Sequence, residues 1–366
     1  MADLVIKGGY AVTPLSERLT NIWVKGNKIH ALDEKHEGQG DFETLDATGM
    51  YVTPGLFDLQ VNGDHDCNLW ADPSDKELDK LKNNLAQHGV TSFLPTLITD
   101  DVGHLKKNIQ FLSKAGVGPD QINRPASKGS SMLGVHLEGP FLSPAKPGVH
   151  PPQFLKPLSV DGISEVVNGS VALVTLAPEL EPDGKVIEFL RRKGIAVSLG
   201  HSNANFEEAQ TAFARGVGLM THTFNALPPL KHRDPGAVGA AMLDENVTCC
   251  VIADGLHVDA PVVKLLIRIK GPDKVILVSD AAHVGTAGGG LVGSSITLDQ
   301  AVQNVVKWGA ATFGQAILMA AYNPAKAMGY EHVIGELAAG RIADIVLWDK
   351  ESLQVKHVIK SGQKLF

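Results

Sequence analysis

From about Tyr51 to Gly329, short runs rich in Val, Ile and Leu alternate with longer stretches whose apolar residues recur at helical spacing. This is the signature of successive βα units. Eight runs read as strands, near Val52–Leu59, Val90–Pro95, Met132–Glu138, Val171–Leu176, Ile195–Gly200, Gly218–Thr223, Val247–Ala253 and Val275–Asp280. Helical patterns near Asp75–His88, Asn205–Arg215 and Pro261–Ile269 fall between them. Eight strands with intervening helices predict a closed (β/α)8 TIM-type barrel rather than an open doubly wound sheet. The two ends differ. Leu4–Val12 with Ile22–Leu32, and Ala343–Trp348 with Val355–Leu365, read as hairpin strands with Gly-containing turns. The expected organisation is a small β-sandwich module built from residues 1–52 and 335–366, capping a barrel domain at 53–334.

Composition narrows the class without changing the fold. At 366 residues the chain is long enough for one large barrel and a smaller appendage, or for two ordinary domains. A net charge of -7 with no sustained basic stretch argues against nucleic acid and anionic membrane surfaces as partners. No run is long and apolar enough to span a bilayer, and MADLVIKGGYAV lacks a signal-peptide pattern, so a cytoplasmic enzyme is the default expectation. The three cysteines, Cys67, Cys249 and Cys250, are odd in number, and two are neighbours on a buried-strand pattern. They predict reduced core thiols rather than disulfides.

Four of the apolar runs end in a side chain that binds metals or moves protons: Glu138 in LGVHLEGPF, His201 in VSLGHSN, His222 in LMTHTFNA and Asp280 in VILVSDA. In a parallel barrel such strand ends converge on the active-site face. Two imidazoles and one carboxylate supply three ligands and leave an open position, the arrangement of a catalytic zinc that lowers the pKa of bound water to about 7. Any one histidine of the 14 is more readily a hydrogen-bonded core residue; the recurrence at one structural point is what favours a metal. Asp280 is expected to take a proton from the water and deliver it to a leaving nitrogen. Service as a further ligand, or as a cap on the next segment, are alternatives that its neighbours in sequence do not decide.

With those residues in hand, the segments HLEGPF, GHSNA, THTFNA, ADGLHVD and SDA, with PGLFDLQVNG near the start and GELAAGRIADIVLWD near the end, resemble the N-acetylglucosamine-6-phosphate deacetylases of the amidohydrolase superfamily. The likeness spans nearly the whole chain. It implies hydrolysis of an acetamido group on an amino-sugar 6-phosphate, in amino-sugar recycling or catabolism. It implies one divalent metal held by Glu138, His201 and His222, with zinc first and iron or manganese as alternatives, and Asp280 as general base then acid. It further implies that His150 in KPGVHPP orients the carbonyl and stabilises the oxyanion and that His257 contacts sugar hydroxyls. Asn225, Ala226 and Arg233 would form the phosphate pocket, Gln60 would be a substrate contact, and a homodimer partner would complete the site.

Two departures stand out. Many amidohydrolases carry His-x-His at the end of the first strand, whereas this chain has Gln60 and Asn62, poor replacements for imidazole, and no histidine until His65. A mononuclear site is therefore expected. The connection 281–291, containing His283, is shorter than the family's, so the pocket is expected to be more open if the loss is real. The competing functions are a deacetylase for the galactosamine epimer, a cyclic-amide hydrolase, which the missing His-x-His disfavours, and a barrel that binds sugar phosphate without turnover.

Overall fold

The computed structural model describes residues 3–13, 16–33, 42–123, 129–283 and 292–366. Eight parallel strands form the barrel: β1 (Leu56–Val61), β2 (Val90–Ile98), β3 (Val135–Glu138), β4 (Val171–Leu176), β5 (Ala196–Leu199), β6 (Leu219–Met220), β7 (Thr248–Ile252) and β8 (Val275–Val278). Each is followed by a helix, in order Asp75–Gln87, Val102–Lys114, Val160–Val166, Lys185–Arg192, Phe206–Ala214, Gly236–Leu243, Ala260–Lys270 and Leu298–Lys307. The strands pair in sequence order from β1 to β8. The ring closes where the Asn62 N–H donates to the Ala281 carbonyl at 2.7 Å, beside a parallel bridge between Val61 and Ala281. A two-residue strand, Ser131–Met132, pairs additionally with β2.

The barrel strands are buried along almost their whole length, which is why they read as continuous apolar runs rather than alternating ones. Their side chains and the inner faces of the helices form one large core. The helices are specified locally. Ser74 and Asn205 are N-caps whose side chains accept from the backbone of Glu77 and Glu208, while those glutamates reach back to the caps.

Eight strands from the two ends, Asp3–Val12, Glu17–Lys25, Lys28–Leu32, Phe42–Asp46, Met50–Pro54, Ile345–Asp349, Val355–Lys360 and Gln363–Lys364, form the second sheet. They are hydrogen-bonded as one continuous sheet that curls around its own core of Leu4, Ile6, Ile22, Val24, Ile345 and Leu347. The long first strand makes this possible, because a bulge between Ile6 and Gly9 lets it pair with Phe42–Asp46 at one end and with Tyr51 and Val52 at the other.

The expected strand Val52–Leu59 is in fact two, since Met50–Pro54 belongs to the terminal sheet and β1 begins at Leu56. Gly55 makes the crossing, where a Cβ would stand 2.1 Å from the Thr91 hydroxyl. The expected single run Ile22–Leu32 is likewise the end of one strand, a turn at Gly26 and a second strand. Of the expected short connection 281–291, residues 284–291 lie outside the described residues. Among the described residues, no helix is long and apolar enough to cross a membrane.

Candidate active site

The side chains at the carboxyl ends of β1, β3, β5, β6 and β8 meet in a cavity of about 170 Å³ whose wall includes Glu138, His150, His201, His222, His257 and Asp280. Local backbone strain aims several of them. Seven non-glycine residues have positive φ among the described residues, and five stand here: His201 (47°), His222 (26°), Phe224 (82°), Ala226 (52°) and Asp280 (50°). Left-handed backbone costs such residues about 1–3 kcal/mol each, and its concentration at one barrel mouth is the mark of a functional site. A larger cavity of about 550 Å³ lies at the opposite end, where β5, β6 and β7 begin. Of its three basic residues, Arg191, Lys274 and Lys326, the first and last lie in the last turns of α-helices, where cations complement the dipole.

Glu138 is the hub. Its Oε1 lies 2.9 Å from His222 Nε2 and 3.2 Å from His201 Nε2, and the two imidazole nitrogens are 3.1 Å apart. Three donors around a tetrahedral cation with bonds of about 2.0–2.1 Å stand ~3.3 Å from each other, close to the observed spacing. Burial pushes the Glu138 carboxyl up, but when His201 and His222 are protonated, their hydrogen bonds and charge outweigh it and hold the group well below the usual carboxylate range. Gln60, buried on β1, donates from Nε2 to Glu138 Oε1 at 3.1 Å, so its donor serves the carboxylate.

Glu138, His150 and His201 also offer ligand atoms within 4.8 Å of one another, so two overlapping triads compete. Hydrogen bonding separates them. His201 Nδ1 faces the Lys146 carbonyl at 3.1 Å and must carry a proton, so in the neutral ring the lone pair is on Nε2, turned toward Glu138. His150 is the reverse, for its Nδ1 accepts from the Thr99 backbone N–H at 3.2 Å and its Nε2 therefore carries hydrogen. Burial, with the charge of His201 beside it, lowers the His150 pKa to about 3, so the ring is neutral at pH 7. His150 is a hydrogen-bond donor, and the lone-pair triad is Glu138, His201 and His222. His222 Nδ1 is buried and has no hydrogen-bond partner, so nothing in the protein fixes that ring's tautomer against a cation at Nε2.

Asp280 follows β8, and its Oδ1 accepts from Asn62 Nδ2 at 2.7 Å. Burial and the nearby Glu138 charge push its pKa up to about 8, so the carboxyl can hold a proton near neutral pH. His257 commits Nδ1 to Asp254 Oδ2 at 2.7 Å, which leaves Nε2 for any ligand contact. Asn225 and Ala226 line the cavity. Arg233 is exposed on its loop and does not line it. His65 is exposed beside Asp66, and His283 Nδ1 lies 2.8 Å from the Asp64 carbonyl.

Sequence reading passed over Asn62 as a proton-site contact and did not single out Trp70, Thr99 or Asp58. Asp58, Gln60 and Asn62 alternate along β1 and beyond it, and that period of two carried the missing signal. Asp58 is wholly buried and accepts from the backbone N–H groups of Gln60 and Ser279, and burial pushes its pKa up to about 6. It thereby ties the start of the site on β1 to the residue before Asp280.

Residues 51–365 match the amidohydrolase family. An N-acetylglucosamine-6-phosphate deacetylase of Danio rerio is 32% identical over 384 residues, covering 94% of this chain and 92% of that protein. An N-acetylgalactosamine-6-phosphate deacetylase of Escherichia coli O157:H7 is 31% identical over 337 residues, covering 85% and 87%. Among solved structures, the N-acetylglucosamine-6-phosphate deacetylase of Pasteurella multocida superposes with a TM-score of 0.88 at 28% identity, covering 99% of both chains.

Proposed function

Because the chain belongs to the amidohydrolase family, we propose that it hydrolyses the acetamido group of N-acetyl-D-glucosamine 6-phosphate to D-glucosamine 6-phosphate and acetate. The observation that carries this reading is the buried convergence of Glu138, His201 and His222 beside Asp280 and His150 at one barrel mouth. The substrate is that of relatives which this chain matches almost end to end.

Glu138, His201 and His222 would hold one divalent cation, zinc in the first place and iron or manganese as alternatives for an imidazole and carboxylate set. When bound, the cation polarises the amide carbonyl, acidifies water and favours the ionised form of Asp280. His150 donates its Nε2–H to the carbonyl oxygen and holds the negative charge that develops there, a contribution of about 3–4 kcal/mol for a well-placed donor. Asp280 accepts the proton of the attacking water and returns it to the amide nitrogen as the C–N bond breaks, releasing acetate and the free amine. Gln60 acts through Glu138, and His257 contacts the sugar hydroxyls from Nε2.

Asn225 and Ala226 face the 6-phosphate. Arg233, exposed on its own chain, joins a homodimer in this reading, with Arg233 of the partner subunit completing the phosphate pocket through its fork of donors. Leu230 and Leu256 are exposed in the loops that follow β6 and β7 at the mouth of the barrel, and support such an interface. The three cysteines are buried and free, which suits the reducing cytoplasm.

The galactosamine epimer is the second reading, favoured by the Escherichia coli relative. Asp280→Asn tests the mechanism: the variant is expected to bind substrate as the wild type does and to lose turnover, whereas retention of most of kcat would remove Asp280 from the chemistry.

A further inference from the structure

We propose that Trp70 is a positioning residue for the proton-transfer carboxylate, acting through Asn62; the inference rests on the hydrolysis proposed above for the role of Asp280. The Trp70 indole N–H donates to Asn62 Oδ1 at 3.2 Å, and Asn62 Nδ2 donates to Asp280 Oδ1 at 2.7 Å. An asparagine amide is nearly symmetric in shape, so its two ends are distinguished only by what they face. Here each neighbour accepts one sense alone, since an indole is a donor only and the ionised carboxylate that takes the proton is an acceptor only. The two together leave a single orientation of the amide. Asn62 is almost wholly buried, so solvent is poorly placed to replace either partner.

The segment from residue 62 to residue 70 is built to return the indole to Asn62. Leu69 N–H donates to the Asn62 carbonyl at 3.1 Å, and Asp64 N–H to the Cys67 carbonyl at 2.9 Å. Asp64 Oδ1 accepts from the backbone of Asp66 and Cys67, and Asn68 Oδ1 from that of Trp70. Gly63, at φ 142°, turns the chain where a Cβ would stand 2.1 Å from the Cys67 carbonyl oxygen. The main chain of Asn62 is in turn tied to Ala281, the residue after Asp280. Without the indole donor the amide is held at the Asp280 end alone, so Asn62 loses its fixed position and the carboxylate is less firmly aimed at the water.

Trp70 also lines the cavity, so a substrate contact is the competing role. Steady-state kinetics of Trp70→Phe separate the two, supported by replacement at position 70 with 3-benzothienylalanine, which keeps the bicyclic ring and lacks the N–H. Positioning predicts that both lower kcat about tenfold while KM and metal content stay at the wild-type values. It predicts also that Trp70→Phe adds no further loss in an Asn62→Ala background, where the connection is already cut. A rise in KM with kcat unchanged, wild-type kinetics for the benzothienyl protein, or additive losses in the double variant would each overturn the inference. A wild-type protein that releases no acetate from any amino-sugar phosphate would overturn the hydrolysis reading itself, and this inference with it.

Discussion

His150 and His201 stand edge to face with ring centroids 4.3 Å apart, yet their hydrogen bonds fit them for opposite work. The lone pair of His201 Nε2 suits a cation, and the Nε2–H of His150 suits a developing oxyanion. His201→Ala is therefore expected to lose bound metal, measured by elemental analysis of the purified protein. His150→Ala is expected to keep metal and lose about 10²–10³ in kcat. Loss of metal in both would place His150 among the ligands. Asp58 gives a pH signature. Its folded pKa is raised from 3.8 to about 6, so it favours the fold fully below 3.8, and that contribution is lost as pH rises through 6. Compared with Asp58→Asn, the wild type should lose thermal stability between about pH 4 and 6; a difference that does not change with pH would contradict the shift. Glu138, His201, His222 and Asp280 were legible in the sequence because each ends an apolar run. The partnership of Asn62 with Asp280 was not, because 218 positions separate them and only barrel closure brings them together.

At the scale of elements, strand existence was legible and strand ends were not. β6 has two residues where a run of six is predicted, because the chain leaves the sheet to reach the strained conformation of His222. Function at the strand ends overrides the local preference of the apolar run for extended pairing. The division between Met50–Pro54 and β1 was hidden by the continuous apolar character of both, and Gly55 alone marks it. Gly55→Ala is expected to lower stability by about 1–3 kcal/mol, because the new methyl meets the buried side chain of Thr91. Thr91→Ala in the same chain should recover much of the loss in thermal denaturation. An unchanged melting temperature in Gly55→Ala would show that the crossing has room.

For the whole molecule, barrel and terminal sheet meet where Met50–Pro54 leads directly into β1, so the sheet fixes the strand that carries Asp58, Gln60 and, just beyond it, Asn62. The proposed dimer interface would take in the exposed Leu230 and Leu256, at 47% and 75% of full exposure, in the loops after β6 and β7. The double variant Leu230→Asp, Leu256→Asp should sediment as a monomer and show a raised KM for the phosphorylated sugar. A persisting dimer would move the interface elsewhere. The central claim is that this barrel mouth hydrolyses a phosphorylated N-acetyl amino sugar with a single metal. It is tested most directly by acetate release from N-acetyl-D-glucosamine 6-phosphate by protein of known metal content, beside the unphosphorylated sugar and the galactosamine epimer. The account predicts turnover that requires both the phosphate and one bound metal per chain. Metal-loaded protein that releases no acetate from any of the three would contradict it.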